Sequence, residues 1–342
     1  MRFGYWTPIF GGWLRNVEDE NTPATFAHIA EVAAAAERGG FDLTLIPELN
    51  LNDIKGADGP ALDAWTLAAA TAAITSTLEI MAAVRPSFHP PAIAAKQAST
   101  IQEISGGRFT LNVVSAWWEE EARQYGVPFA HHDGRYALTR EYVAALRGLW
   151  TKTPFSYSGD HITLEGTYSE PKPAVQPLIY AGGESEAGRA AISDFADAYL
   201  THGGTVEELA TKIADMRRRR EEAGKAPFSR FGMAAFAIVR DTEEEAQAEL
   251  ERITDVRSGA AYDSYQQFVT KSQLDTEVSL RDYSVSNRGL RPNLVGTPEQ
   301  VAERIREFEA VGVDVLLLQF SPMLQELERF AEQVIPLVNT PR

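Results

Sequence analysis

Eight short apolar runs, set apart by helical patterns, constrain what this chain can fold into more than any other feature. The runs are Phe3–Trp6, Leu43–Pro47, Leu78–Val84, Phe109–Ser115, Leu178–Ala181, Ala198–Thr201, Met233–Val239 and Val313–Phe320. The helical patterns are Phe26–Arg38, Ala61–Thr75, Ala92–Ile104, Arg135–Trp150, Ser185–Phe195, Val206–Ala223, Glu243–Ile253 and Pro298–Val311. Continuous apolar runs read as strands buried on both faces, the habit of parallel sheets whose helices cover them. Gly39-Gly40, Gly106-Gly107 and Gly312 close three of the helices, and Thr297-Pro298-Glu299-Gln300 opens the last with a cap, a first-turn proline and a capping-box glutamine. The alternation predicts an α/β fold, a (β/α)8 TIM barrel over residues 1–342 as one domain, with a doubly wound open sheet as the competitor.

Two segments interrupt the alternation. Residues 151–177, after the fourth helix, contain Phe155 to Leu164 alternating around Gly159-Asp160, which predicts an inserted hairpin. Residues 256–295, before the eighth helix, form a long polar excursion expected to act as a substrate lid or a subunit contact.

Composition excludes several chemistries. The 342-residue chain has no cysteine, so disulfides, thiolate metal sites and thiol nucleophiles are ruled out. A net charge of −16 argues against nucleic-acid and membrane partners. No Gly-x-Ser-x-Gly elbow and no metal-spaced histidines are evident, so no metal is expected. The chain opens directly on a strand pattern, and a cytoplasmic location is expected.

Polar groups appear abruptly where the strands end. Asn112-Val-Val-Ser115 closes the fourth strand, and Trp117-Trp118-Glu-Glu-Glu121 follows it. Gly182-Gly-Glu-Ser185 leaves the fifth strand and opens a helix, offering free N–H groups and a dipole to an anion. Taken singly, these residues have plain structural readings: Ser185 as a helix cap, Glu121 as surface charge, Tyr136 with Tyr142 as a core face. Taken together, polar strand ends and an anion cradle fit a barrel enzyme holding a phosphorylated cofactor.

The chain resembles the bacterial luciferase-like flavin monooxygenases, nearest the alkanesulfonate, dimethylsulfone and pyrimidine monooxygenases. The likeness rests on Val84-Arg-Pro-Ser87, Pro91-Ala-Ile-Ala-Ala-Lys-Gln97, Ile104-Ser-Gly-Gly-Arg-Phe109, Asn112-Val-Val-Ser115, Arg135-Tyr136, Trp150, Ala181-Gly-Gly-Glu-Ser185 and Gly296-Thr-Pro-Glu-Gln300. It implies a reduced-FMN-dependent monooxygenase using O2, served by a separate NAD(P)H-dependent flavin reductase and assembled as a homodimer or homotetramer. The implied outcome is oxygenation and C–S cleavage of a small sulfonate, sugar sulfonate or sulfone. A deazaflavin-dependent oxidoreductase and a non-catalytic flavin-binding barrel are the alternatives.

By the same resemblance, Glu48, Leu49, Asn112, Glu121, Arg135, Tyr136, Gly183 and Ser185 contact FMN. Arg288, Arg291, His89 and Trp117 are the catalytic candidates, with Arg85 a further polar group. The family's cysteine, its arginine and histidine, and its tyrosine are replaced here by Ala61, by Ala234 and Phe236, and by Ser321. The usual proton-transfer set is therefore missing.

Overall fold

The structure, a computed structural model, describes residues 1–15, 22–115, 118–128, 132–255, 279, 281, 285 and 289–339, with the backbone alone at His132 and Asp133. Among them, eight parallel strands close into a barrel. Their order around it is β1 (Arg2–Trp6), β2 (Leu43–Ile46), β3 (Glu79–Val84), β4 (Phe109–Val113), β7 (Leu178–Gly182), β8 (Ala198–Thr201), β9 (Phe231–Val239) and β11 (Val315–Gln319). β11 pairs back onto β1 with Gly4 opposite Leu317, and β8 pairs with β9, so no edge is left open. Closure excludes the open sheet.

Inside the barrel, Leu43, Leu45, Met81, Tyr180, Leu200 and Leu317 make a packed interior rather than a pore. Gly4 is part of that packing: a Cβ there would lie 2.7–2.9 Å from Leu43 and Leu317 side-chain carbons. The N-terminal end of the barrel is sealed by polar groups. Glu79 accepts from Arg2 and Arg230 at 2.9 Å, from the Tyr180 hydroxyl at 3.0 Å and from Thr110 at 3.3 Å.

The helices lie between the strands in sequence. They are α1 (Phe26–Arg38), α2 (Ala64–Ile74), α3 (Pro91–Ile104), the short α4 (Glu119–Gln124), α5 (His132–Thr151), α6 (Glu186–Phe195), α7 (Val206–Glu222), α8 (Glu243–Thr254), α9 (Pro298–Ala310), α10 (Met323–Gln333) and α11 (Ile335–Asn339). Capping boxes start α7, α8 and α9, and Thr297 with Gln300 is the one the sequence predicts. The helix that completes the eighth strand–helix unit is α10, which the alternation above does not include. Its buried Met323, Leu327 and Phe330 recur at helical spacing, so the pattern was legible.

The inserted hairpin is present as antiparallel β5 (Phe155–Ser158) and β6 (Thr163–Thr167). Glu141 on α5 pins its turn, accepting from the N–H groups of Asp160, His161 and Ile162 at 2.9 Å each. Burial raises the Glu141 carboxyl's pKa, but these three donors outweigh it and hold the group below the usual carboxylate range. The 256–295 excursion falls almost wholly outside the described residues. Its end returns as β10 (Leu294–Gly296), parallel to the last residues of β9. No helix among the described residues is long and apolar enough to cross a membrane.

Candidate active site

The C-terminal ends of the strands gather the polar groups, as the barrel requires of a functional face. Asn112, the fourth residue of β4, lies opposite Ala83 of β3 and Tyr180 of β7, on the interior face. It is 8% exposed, and its Oδ1 has no hydrogen-bond partner among the described residues. A buried amide oxygen without a donor costs free energy unless something else supplies one, so it marks a ligand position.

Next around the mouth, β7 delivers Gly182 and Gly183 to the start of α6. Ser185 caps that helix, its Oγ accepting from the Gly188 N–H at 3.2 Å. The Tyr136 hydroxyl of α5 stands 3.4 Å from the same Oγ. The approach is close enough that a Cβ on Gly188 would lie 2.7 Å from that hydroxyl. Arg135 is one residue away. Burial lowers its guanidinium's pKa, with Tyr136 and Glu119 acting in the opposite sense. A helix N-terminus, a serine and a tyrosine hydroxyl, and a neighbouring arginine form a set suited to a phosphate. An amide one strand away suits the polar edge of a heterocycle. The residues present therefore fit FMN.

On the other side of the mouth the structure joins four residues that the sequence kept apart. Arg85, one residue past β3 and 2% exposed, bonds Glu48 through its backbone N–H at 2.8 Å and its Nε at 3.3 Å. Its two Nη atoms reach Glu121, Nη2 at 3.1 Å and Nη1 as a shorter ion pair. Glu121 is fully buried and also accepts from the Asn50 N–H at 2.5 Å. The remaining Glu48 oxygen, Oε1, meets Nε2 of His89. Trp65 lies over the His89 ring at 5.2 Å between centroids, and Phe88 lies against Arg85 at 3.8 Å. Tyr142 on α5 is buried, and its hydroxyl has no partner among the described residues; burial, then the Glu48 carboxylate, push its pKa well above the ordinary value.

The profile of the luciferase-like monooxygenases matches residues 1–315. This chain belongs to that family. It is 35% identical, over 99% of its own length and 95% of the other, to an FMNH2-dependent dimethylsulfone monooxygenase of Pseudomonas putida. It is 33% identical to the protein of the same description from Pseudomonas fluorescens strain Pf0-1, over 99% and 94% of the two chains. Its fold superposes on a long-chain alkane monooxygenase with a TM-score of 0.83, at 21% identity over 98% and 90% of the chains.

Against this frame, Glu48 and Glu121 lie at the mouth, but their oxygens are held by Arg85, His89 and the Asn50 N–H. Leu49 packs on the core beside them. Arg291 forms an ion pair with Glu208 of α7 and lines an open 390 Å³ cavity with Arg189, Lys212 and Asp215. Trp117 and Arg288 lie outside the described residues. In the loop after β1, Trp13 belongs to the core: it is 2% exposed and packs edge-on against Trp6 and Phe10. Ala234, Phe236 and Ser321 are buried, so the positions of the family's proton-transfer groups are filled by two apolar side chains and a hydroxyl.

Proposed function

We propose that this chain is the oxygenase of a two-component system that uses reduced FMN and O2 to cleave a small sulfone. The observation that carries the reading is the buried, unpartnered Oδ1 of Asn112 at the mouth whose other side is the Ser185 cradle. The near full-length likeness to the dimethylsulfone enzymes agrees with it. Asn112 would hold the flavin ring edge; Ser185, Gly183, Tyr136 and Arg135 would hold the ribityl phosphate. Bound reduced FMN supplies the electrons that activate O2. The chain's own part is to orient the flavin, keep water from the mouth and place substrate against it.

An uncharged sulfone suits this mouth better than a sulfonate. The guanidinium groups of Arg85 and Arg291 are engaged by carboxylates. The β9 positions where the alkanesulfonate enzymes carry an arginine and a histidine are Ala234 and Phe236. For dimethylsulfone the balanced reaction consumes one O2 and one reduced flavin. One oxygen ends in formaldehyde, the other in water, and methanesulfinate leaves. A flavin reductase supplies the reduced flavin, and the enzyme is a homodimer or homotetramer.

The test combines product and binding. Purified protein with reduced FMN and dimethylsulfone should release formaldehyde and sulfinate, with ethanesulfonate giving sulfite poorly or not at all. Ser185→Asp separates cap from cradle. Aspartate caps a helix as well as serine does but repels a phosphate, so stability should hold while FMN affinity falls by about 2 kcal/mol or more. Equal affinity of the wild type for riboflavin and FMN, or preference for a deazaflavin, would overturn the reading.

A further inference from the structure

The missing proton-transfer set leaves the reaction without its usual base, and among the catalytic candidates at the mouth His89 is the one whose setting suits that part. We infer that His89, held by Glu48, is the general base that collapses the hydroxylated sulfone, with Glu48 and Arg85 as its positioning residues. This rests on the proposed sulfone oxygenation.

Three observations carry the inference. First, orientation: Glu48 Oε2 is fixed twice by Arg85, through the backbone N–H and Nε, which turns Oε1 to His89. Arg85 is in turn fixed by Glu121, and Glu121 by the Asn50 N–H. A carboxylate clamped in this way fixes the ring it bonds. Second, the free nitrogen: with Nε2 donating to Glu48, Nδ1 is the atom left to take a proton, and no hydrogen bond to it is present among the described residues. The His89 side chain is 18% exposed, against 6% for Glu48 and 3% for Arg85, so within this chain of groups the imidazole alone opens outward. Third, charge: two buried carboxylates share one guanidinium, so the array has a surplus negative charge beside the ring. A positive charge arising on the imidazole is offset where it forms, as in any carboxylate–imidazole pair that serves as a base. Among the described residues the ring is joined to Glu48 from the β2 end and, through Glu48, to Arg85 from the β3 end and Glu121 from α4. Trp65 forms its apolar wall.

The step balances without a further reagent. Oxygenation leaves a hydroxyl on the carbon next to sulfur. Nδ1 takes the hydroxyl proton, and the O–H electron pair becomes the second C–O bond of the aldehyde. The C–S pair departs with sulfur as a sulfinate, and the imidazolium then releases its proton to solvent through its exposed edge.

The test uses the full chain with reduced FMN and dimethylsulfone. His89→Gln keeps an amide for Glu48 and should lower sulfinate formation about a hundredfold, the scale of a lost general base, with FMN affinity within about twofold of wild type. In His89→Gly, added imidazole should restore turnover. Glu48→Gln, which leaves the ring in place but loosens its hold, should lower kcat for sulfinate formation while leaving KM and FMN affinity little changed. Wild-type turnover in His89→Gln, no rescue by imidazole, or an unchanged kcat in Glu48→Gln would each overturn the inference. Failure of the flavin reading has a separate signature, a wild type that neither binds reduced FMN nor forms sulfinate, whereas failure of the base alone leaves a wild type that forms sulfinate and a His89→Gln variant as active as it is.

Discussion

The two ends of the barrel both bury carboxylates against arginines, yet they are built in opposite ways. At the N-terminal end one carboxylate, Glu79, meets two arginines, a tyrosine and a threonine, and Arg2 also faces Asp42 at 3.7 Å. At the mouth two carboxylates share one arginine, and Asn112 and Tyr142 each keep a buried polar atom without a partner among the described residues. The first arrangement closes a barrel. The second leaves charge and hydrogen-bonding capacity for something that arrives later. Unsatisfied polar groups cost stability, and the two at the mouth stand where an arriving ligand can supply the missing partner.

Three measurements can break or sharpen that contrast. The largest effect belongs to the closed end. Glu79→Leu takes the shared carboxylate from Arg230, Tyr180 and Thr110 and leaves Arg2 only Asp42, and it should cost about 3 kcal/mol in thermal or denaturant unfolding while leaving flavin affinity unchanged. A cost below about 1 kcal/mol would mean the seal is ornamental and the contrast false. Next comes the open end. Asn112→Leu removes an amide with no partner, so the apo protein should be no less stable, whereas FMN affinity should drop by about 2 kcal/mol. A destabilised apo protein with unchanged affinity would make Asn112 a structural residue after all.

The smallest effect concerns pH at the closed end. Glu37 near the end of α1 accepts from Ser76 N–H at 2.7 Å, Thr77 N–H at 2.5 Å, the Thr77 hydroxyl at 2.9 Å and Leu78 N–H at 3.1 Å, tying α1 to the loop before β3. Burial raises its pKa, but the donors lower it further, and the net shift is downward. A depressed carboxylate contributes stability that is complete above the ordinary carboxylate range and lost as pH falls through the folded value. Glu37→Gln should therefore be less stable than wild type at neutral pH, by less than about 1 kcal/mol for so exposed a group. The difference should shrink as pH falls through the ordinary carboxylate range and vanish below the lowered folded value. A gap that persists at acid pH would assign the contribution to shape rather than charge.

Much of this protein was written in local order. The strand runs fell within a residue or two of β1 to β4, β7 to β9 and β11, because strands buried on both faces must be continuously apolar. The hairpin was visible in its alternation, the α9 start in its capping box, and the Ser185 cradle in a glycine pair before a helix. Such signals survive in one dimension because each is made by neighbours along the chain. Barrel closure is different: it depends on β11 returning to β1, a pairing of residues more than three hundred positions apart, which no local pattern encodes.

The site divides along the same line. Asn112, Tyr136, Gly183 and Ser185 could be picked out as residue types at strand and helix ends. What they lacked was partners, and partners are a tertiary property. Glu121 in a run of three glutamates read equally well as surface charge. It is fully buried because Arg85, 36 positions away, reaches it from the next strand end. Glu48, Arg85 and His89 were separate candidates until the β2 and β3 ends lay side by side and made them one array. The sequence determined which groups stand at the strand ends. Only the closed barrel decided which of them neutralise one another and which, like Asn112 Oδ1 and His89 Nδ1, are left for a ligand, since hydrogen bonds and charges act over ångströms in space rather than along the chain.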